Sequence, residues 1–225
     1  MAKTRGTQRT LTPDRIVAEA IVLADRDGLD VLSMRGLATA LGVTAMSLYN
    51  HVANKDALID LMLDQVASEI ASIDVNGPWQ AMMRLRATSM RKVLLAHPWA
   101  AALLGSRIVM GAAILRDIDR SLGCLVNGGF SYAQADWARN AIDNHVYGFT
   151  LQEMNFPVAP EDYQEAAAHY LPEIDQTEYP FMYQSALHII DGSYDGMLDF
   201  NFGLELVLSG LTRWIEDGAV ITTDV

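Results

Sequence analysis

Residues 33–52, SMRGLATALGVTAMSLYNHV, read as two short helices hinged at Gly42. Leu37, Ala38 and Leu41 share one inward face of the first helix, and Ser33 is placed to cap its start through the hydroxyl. Gly42 ends that helix, since a left-handed residue is needed there and glycine has no Cβ to clash, and Thr44 caps the next. Ala38 is small where the helices must approach closely, while Val43, Leu48 and Val52 give the second helix its inner face. The pattern is a helix-turn-helix. It leaves Ala45, Met46, Ser47, Tyr49, Asn50 and His51 outside.

Those outward residues suit a DNA major groove. Ser and Asn exchange hydrogen bonds with base edges, Met and Ala touch thymine methyl groups, and Tyr and His reach phosphates from the flank. Helix pairs with a Gly turn also occur throughout all-helical proteins, so the surroundings carry weight. Upstream, Thr12-Pro13-Asp14 is an N-cap with proline at the first helical position, and Ile16, Ala20, Leu23 and Ala24 stripe a bracing helix that ends at Gly28. Downstream, Asn54 precedes Lys55-Asp56 and a long helix, expected over 56–73, with Ala57, Leu58, Leu61, Met62, Gln65 and Val66 on one face. A lysine in a first helical turn opposes the dipole unless an anion lies against both, so Lys55 reads as a phosphate contact or as a solvated surface lysine.

On these residues the head resembles the DNA-binding domain of the TetR family of bacterial transcription regulators. The resemblance is carried by Leu32-Ser33-Met34-Arg35-Gly36-Leu37-Ala38, Leu41-Gly42-Val43 and above all Ser47-Leu48-Tyr49-Asn50-His51-Val52-Ala53-Asn54-Lys55-Asp56-Ala57-Leu58. It implies that Arg35 approaches a base or the backbone, that Ala45, Met46 and Ser47 face bases, and that Tyr49, His51 and Lys55 hold phosphates. Ser33 and Thr44 add hydroxyl and backbone N–H contacts. Asn50 and Ala45-Met46 depart from the family's founding repressor, so its operator sequence does not carry over.

The net charge of −12 would ordinarily argue against a polyanion partner. Its distribution reverses that. Residues 1–55 hold seven basic residues (Lys3, Arg5, Arg9, Arg15, Arg26, Arg35, Lys55) against five acidic ones (Asp14, Glu19, Asp25, Asp27, Asp30), a net of +2, and the remainder carries −14. A basic head on an acidic body binds DNA through the head while the body is repelled. Lys3, Arg5 and Arg9 read as an arm that reaches the neighbouring groove or as a disordered terminus.

The expected fold is all-α, an N-terminal three-helix helix-turn-helix domain plus a larger helical ligand-binding and dimerisation domain. The divisions fall at 1–53, a connecting helix over 54–73, and 74–225. Within the body, turn signals separate Trp79–Ala96, 100–104, 111–127, 132–154, 161–170 and 199–217 as helices. Residues 171–198 are interrupted by Pro172, Pro180, Gly192 and Gly196 and read as a region that orders around a ligand or partner. The single Cys124 excludes an internal disulfide and reads as a buried small side chain. Without an apolar span or a signal-type N-terminus, a cytoplasmic chain with no membrane contact is expected.

Gly203, Leu206 and Gly210 form one small-residue stripe, and Ala138, Ala141, His145 and Gly148 a matching one. Interior glycines cost about 1 kcal/mol each relative to alanine, so close approach of another backbone should offset them. The stripes either build a homodimeric four-helix bundle or pack within one chain. Dimerisation of this kind is what the resemblance implies. Arg86 interrupts the apolar series Met82, Met83, Leu85, Met90 and Leu94, and it either anchors an anionic ligand or pairs with an acid on the surface. Arg86→Ala is accordingly expected to alter effector response only.

Arg86, Met90, His97, Leu103, Asn144 and Gln152 are the candidate contacts to a small-molecule effector. A looser likeness to the tetracycline-repressor subgroup places Leu103 and Gln152 where that subgroup uses a histidine and a glutamate around a magnesium chelate. Neither residue suits a hard cation, so magnesium–tetracycline is not the expected effector. No catalytic residue, metal site or cofactor is indicated, the five histidines being scattered. The partners expected are double-stranded operator DNA, an effector and a second copy of the chain. An all-helical ligand-binding or interaction module that does not act through DNA is the alternative, and only the head separates the two.

Overall fold

A computed structural model describes residues 10–193 and 199–218, and among these every regular element is helical. The basic arm Lys3, Arg5 and Arg9 lies outside the described residues. Three helices make the head: α1 (Pro13–Asp27), α2 (Met34–Leu41) and α3 (Ala45–Tyr49). Thr12 caps α1 by accepting the Arg15 N–H at 3.3 Å, and Ser33 caps α2 by accepting the Gly36 N–H at 3.1 Å. Gly42 adopts φ 68°, ψ 33°, the left-handed conformation, and the Val43 N–H closes onto the Ala38 carbonyl at 2.9 Å. Thr44 then caps α3 through the Ser47 N–H at 3.2 Å. Helix α3 stops at Tyr49, short of Val52, because the His51 and Val52 N–H groups both fold back onto the Leu48 carbonyl at 2.9 Å.

The connecting helix α4 spans Lys55–Ala67 and does not continue to residue 73. Ser68 ends it by turning its hydroxyl onto the Gln65 carbonyl, and the following chain is drawn off the helix axis by the body. The Ala71 N–H donates to Ser89 Oγ at 2.8 Å, Arg120 Nε to the Ile73 carbonyl at 2.9 Å, and Asn127 Nδ2 to the Val75 carbonyl at 2.9 Å. These partners lie 18 to 52 residues away, which is why local periodicity extends the helix too far.

The body consists of α5 (Trp79–Ala96), α6 (Pro98–Leu104), α7 (Ala112–Asn127), α8 (Tyr132–Asn155), α9 (Tyr163–Tyr170), α10 (Pro180–Ile190) and α11 (Phe200–Glu216). Within the segment 171–198, helix α10 packs against α9; residues 194–198 lie outside the described residues. Two apolar cores result. One joins Ile16, Leu37, Leu48, Met62 and Val66 with Val93, Ala100 and Val109 of the body. The other gathers Trp79, Met83, Leu94, Cys124, Phe130, Ile142 and Leu204, with Trp79 edge-on to Phe130 at 5.0 Å. Each fully buried Leu, Ile or Met contributes about 1.5–3 kcal/mol, so the shared first core fastens head to body through several such side chains.

Candidate functional site

The helix-turn-helix presents one exposed surface. Ser33, Arg35, Thr44, Met46, Tyr49, Asn50 and His51 are exposed, with Met46 71% and Tyr49 47% accessible. Ala45, Ser47 and Lys55 are half-buried. Ala45 packs against the head core, and the Ser47 hydroxyl is 2.9 Å from that of Thr44. Lys55 sits in the first turn of α4, as expected, but its ammonium also reaches back to the Leu29 carbonyl at 3.4 Å. That bond holds the α1–α2 corner against α4 while two N–H donors stay available for a phosphate.

A cavity of about 320 Å³ opens in the body between α4, α5, α7 and α8. Of the six candidate contacts it brings together Arg86, Met90 and Asn144. His97, Leu103 and Gln152 are elsewhere: His97 is buried against the head, Leu103 packs on the head core, and Gln152 is exposed on α8. The sequence reading missed Asp117, Arg139, Asp143 and Tyr147, which line the cavity with Arg86.

Arg86 is only 1% exposed, so neither a surface pair nor an uncommitted anion anchor describes it. Its Nε and Nη2 donate to Asp117 at 2.9 and 2.7 Å, and its Nη1 donates to Asp143. Burial works against the guanidinium charge, and the two carboxylates outweigh it, raising the pKa above its ordinary value. Arg139 Nη1 completes the network on Asp143 at 2.8 Å. The side chain is therefore a structural cross-link of α5, α7 and α8, and truncating it strikes the fold before the effector response. Tyr147 packs its ring against Gly105, and burial pushes its hydroxyl pKa well up, leaving it protonated.

Two polar joints tie this body to the head. In the first, Asp56, Asp60 and Asp64 recur every four residues along α4 and face the segment that walls the cavity. Asp60 accepts from Arg107 Nε at 2.7 Å and Asp56 from Arg107 Nη2 at 3.3 Å. Asp64 accepts the N–H groups of Ala113 and Ile114 at 2.8 and 3.0 Å, capping α7 from another helix. Gly111 is required there, because a Cβ would collide with the Asp64 carboxylate.

In the second joint, His97 Nδ1 meets Asp25 of α1 at 2.9 Å and Nε2 meets Glu69 at 3.3 Å, while Trp99 Nε1 donates to Asp25 at 2.6 Å. Burial lowers the imidazole pKa, but the two carboxylates raise it further, for a net upward shift. The joint's stabilisation is full below the unfolded value of about 6.5 and is lost as pH rises through the higher folded value. Urea midpoints at pH 6 and pH 8 should therefore fall more for the wild type than for His97→Gln. Equal falls would remove the joint's proton dependence.

The two small-residue stripes are only partly free. Ala138 is fully buried in its own chain's core, and the His145 ring fills the space where a Gly203 Cβ would lie, with Nε2 2.9 Å from the Phe200 carbonyl. These three residues pack within one chain. Ala141, Gly148, Leu206 and Gly210 lie on an exposed face, with Trp137 and Phe202 beside them.

Two family models match the chain. Residues 16–62 match "Bacterial regulatory proteins, tetR family", and residues 74–215 match "Tetracyclin repressor-like, C-terminal domain". An HTH-type transcriptional regulator of Saccharopolyspora erythraea is 40% identical over 152 residues, 67% of this chain and 64% of that protein's length. The HTH-type transcriptional repressor DrrR1 of Streptomyces coeruleorubidus is 30% identical over 92% of this chain and 79% of its own. Among solved structures, apo ActR from Streptomyces coelicolor superposes with a TM-score of 0.79 at 29% identity, over 93% of this chain and 98% of its own. ActR has also been solved with actinorhodin, at a TM-score of 0.73 over 93% of this chain and 99% of the other.

Proposed function

This chain belongs to the tetR family of bacterial regulatory proteins, and from that membership we propose that it is a homodimeric transcriptional repressor released from a palindromic operator by a small apolar effector. The observation that carries the reading is the row of α4 aspartates. They join the cavity wall, through Arg107 and the start of α7, to the helix on which the DNA-reading head is built. The exposed Ala141, Gly148, Leu206 and Gly210, with Trp137 and Phe202, suit the two-fold contact, and two heads on one axis read a palindrome.

The mechanism is a linkage between two states. Effector in the cavity favours one position of residues 104–110 and α7, the aspartates pass it to α4, and head spacing no longer matches successive grooves. Operator affinity then falls by the ratio of the effector's affinities for the two states. ActR, similar over most of this chain, has been solved with actinorhodin, which supports a small-molecule effector here. Leu103 and Gln152 lie outside the cavity, which is consistent with an effector that needs no bound metal.

The test is a gel-shift titration against DNA from the chain's own promoter region, at low salt. Tyr49→Ala and Lys55→Ala should each weaken binding by about tenfold or more, as expected for lost bonds to phosphate. Thermal midpoints should stay nearly unchanged for Tyr49→Ala. If the wild-type chain retains no promoter DNA, the chain is a helical ligand-binding module instead.

A further inference from the structure

The charged side chains on the cavity wall are already matched. Arg86 gives its Nε and Nη2 to Asp117 and its Nη1 to Asp143, and Arg139 Nη1 shares Asp143 at 2.8 Å. Arg107, the remaining cation there, faces two carboxylates of α4, Asp60 and Asp56. An ionic group brought in beside these pairs would have to displace an internal partner or stay uncompensated, and both are costly in a buried site. The cavity therefore selects against a charged ligand.

Its neutral polar side chains come from one face of α8, where Asn140, Asn144 and Tyr147 recur at helical spacing. Asn140 is committed: its Oδ1 accepts from Arg139 Nη2 at 3.0 Å and its Nδ2 donates to Asp136 at 3.2 Å. Asn144 is exposed at the rim, where a bond to a ligand replaces a bond to bulk water and gains little. Tyr147 is half-buried, and its hydroxyl bonds no other group among the described residues. That hydroxyl is not sealed in, because Arg139 Nε is the one unpaired side-chain nitrogen or oxygen of a buried or half-buried residue that is closed to solvent. It opens onto the cavity. The charges acting on the phenol are those of Asp143, Arg86, Asp117 and Arg139, all of them on the cavity wall.

We propose that Tyr147 is the polar recognition residue of the effector site: its neutral hydroxyl donates to a carbonyl oxygen on an uncharged, largely apolar molecule. This rests on the reading of the cavity as the effector site. The position of the ring also places such a molecule where it is felt. One edge of the ring lies 3.6 Å from the point a Gly105 Cβ would occupy, and Arg107, two residues on, bridges to Asp60 and Asp56 of α4. A ligand held by this hydroxyl lies against the segment that joins the cavity to the head.

The test uses two flat three-ring probes that differ by one carbonyl oxygen, 9-fluorenone and fluorene, measured on the full chain by equilibrium dialysis. Wild type should bind 9-fluorenone about fivefold more tightly than fluorene, the usual value of one neutral hydrogen bond. Tyr147→Phe removes the hydroxyl alone and keeps the ring on Gly105. It should bring the ratio near one without changing fluorene affinity, whereas Asn144→Ala should leave most of the preference in place. The infrared carbonyl band of bound 9-fluorenone should lie at lower frequency in wild type than in Tyr147→Phe, a shift that a merely structural role of the ring would not produce. 9-Fluorenone-4-carboxylate should bind more weakly than 9-fluorenone. A wild-type ratio near one, a ratio that survives Tyr147→Phe, a ratio lost in Asn144→Ala, or an unshifted band overturns the role of Tyr147 while leaving the cavity reading intact. Tighter binding of the carboxylate overturns the uncharged class. Binding of neither neutral probe overturns the cavity reading and the role of Tyr147 together.

Discussion

Arg86→Ala should lower the folding stability of this chain by about 3–5 kcal/mol, measured as a shift in the urea unfolding transition. The cost comes from what is left behind. Asp117 and Asp143, whose side chains are only 18% and 9% exposed, would keep their charges in a site with one guanidinium fewer. Arg139 still reaches Asp143, so the uncompensated charge is chiefly that of Asp117, which places the loss toward the lower end of the range. The control is Arg84→Ala, which breaks a pair with Glu205 at an exposed site, 44% and 48% accessible, and should change stability by less than about 1 kcal/mol. Replacing Arg86, Asp117 and Asp143 together with apolar residues of similar volume should recover most of the loss. A result in which Arg86→Ala and Arg84→Ala behave alike would sink this account of the cavity floor.

Operator affinity should fall by at least about two orders of magnitude between 50 and 200 mM salt, as measured by fluorescence anisotropy. The logarithm of the binding constant falls with that of salt at about 0.9 per phosphate neutralised. Arg35 and Lys55 on two heads supply about four such charges, which sets the lower bound. If Lys3, Arg5 and Arg9 also engage, about ten charges act and the fall exceeds about five orders of magnitude. Deletion of residues 1–9 would then lower the slope by about 5. A fall smaller than tenfold would mean that neither Arg35 nor Lys55 meets a phosphate.

Local chemistry made the head legible. The caps at Thr12, Ser33 and Thr44 and the left-handed turn at Gly42 involve partners no more than five residues away, and each reads directly from residue type. Helix α5 likewise runs from Trp79 to Ala96 as its Gly77-Pro78 and His97-Pro98 boundaries require. What was not legible depends on distant partners. Arg86 meets Asp117 and Asp143 at separations of 31 and 57 residues, and His97 meets Asp25 at 72, so both read from sequence as ligand contacts. Local periodicity carries α4 too far for the same reason, its end being set by Ser89, Arg120 and Asn127 from the body. The one signal that could have exposed the first joint is the repeat Asp56, Asp60, Asp64 along the α4 face.

Asp64 has a consequence for modularity. Helix α7 has Gly111 at its N-cap position, which offers no side chain to the first turn, and takes its cap from α4 instead. A graft that joins this body to a foreign head after Ala67 takes its α4 from the other protein, and without an acid at that position α7 would start uncapped. A cut just before α4 keeps Asp64 but severs α4 from the core it shares with α1, α2 and α3. Exchange of sensors between such regulators is thus limited less by the linker than by an acid borrowed across it.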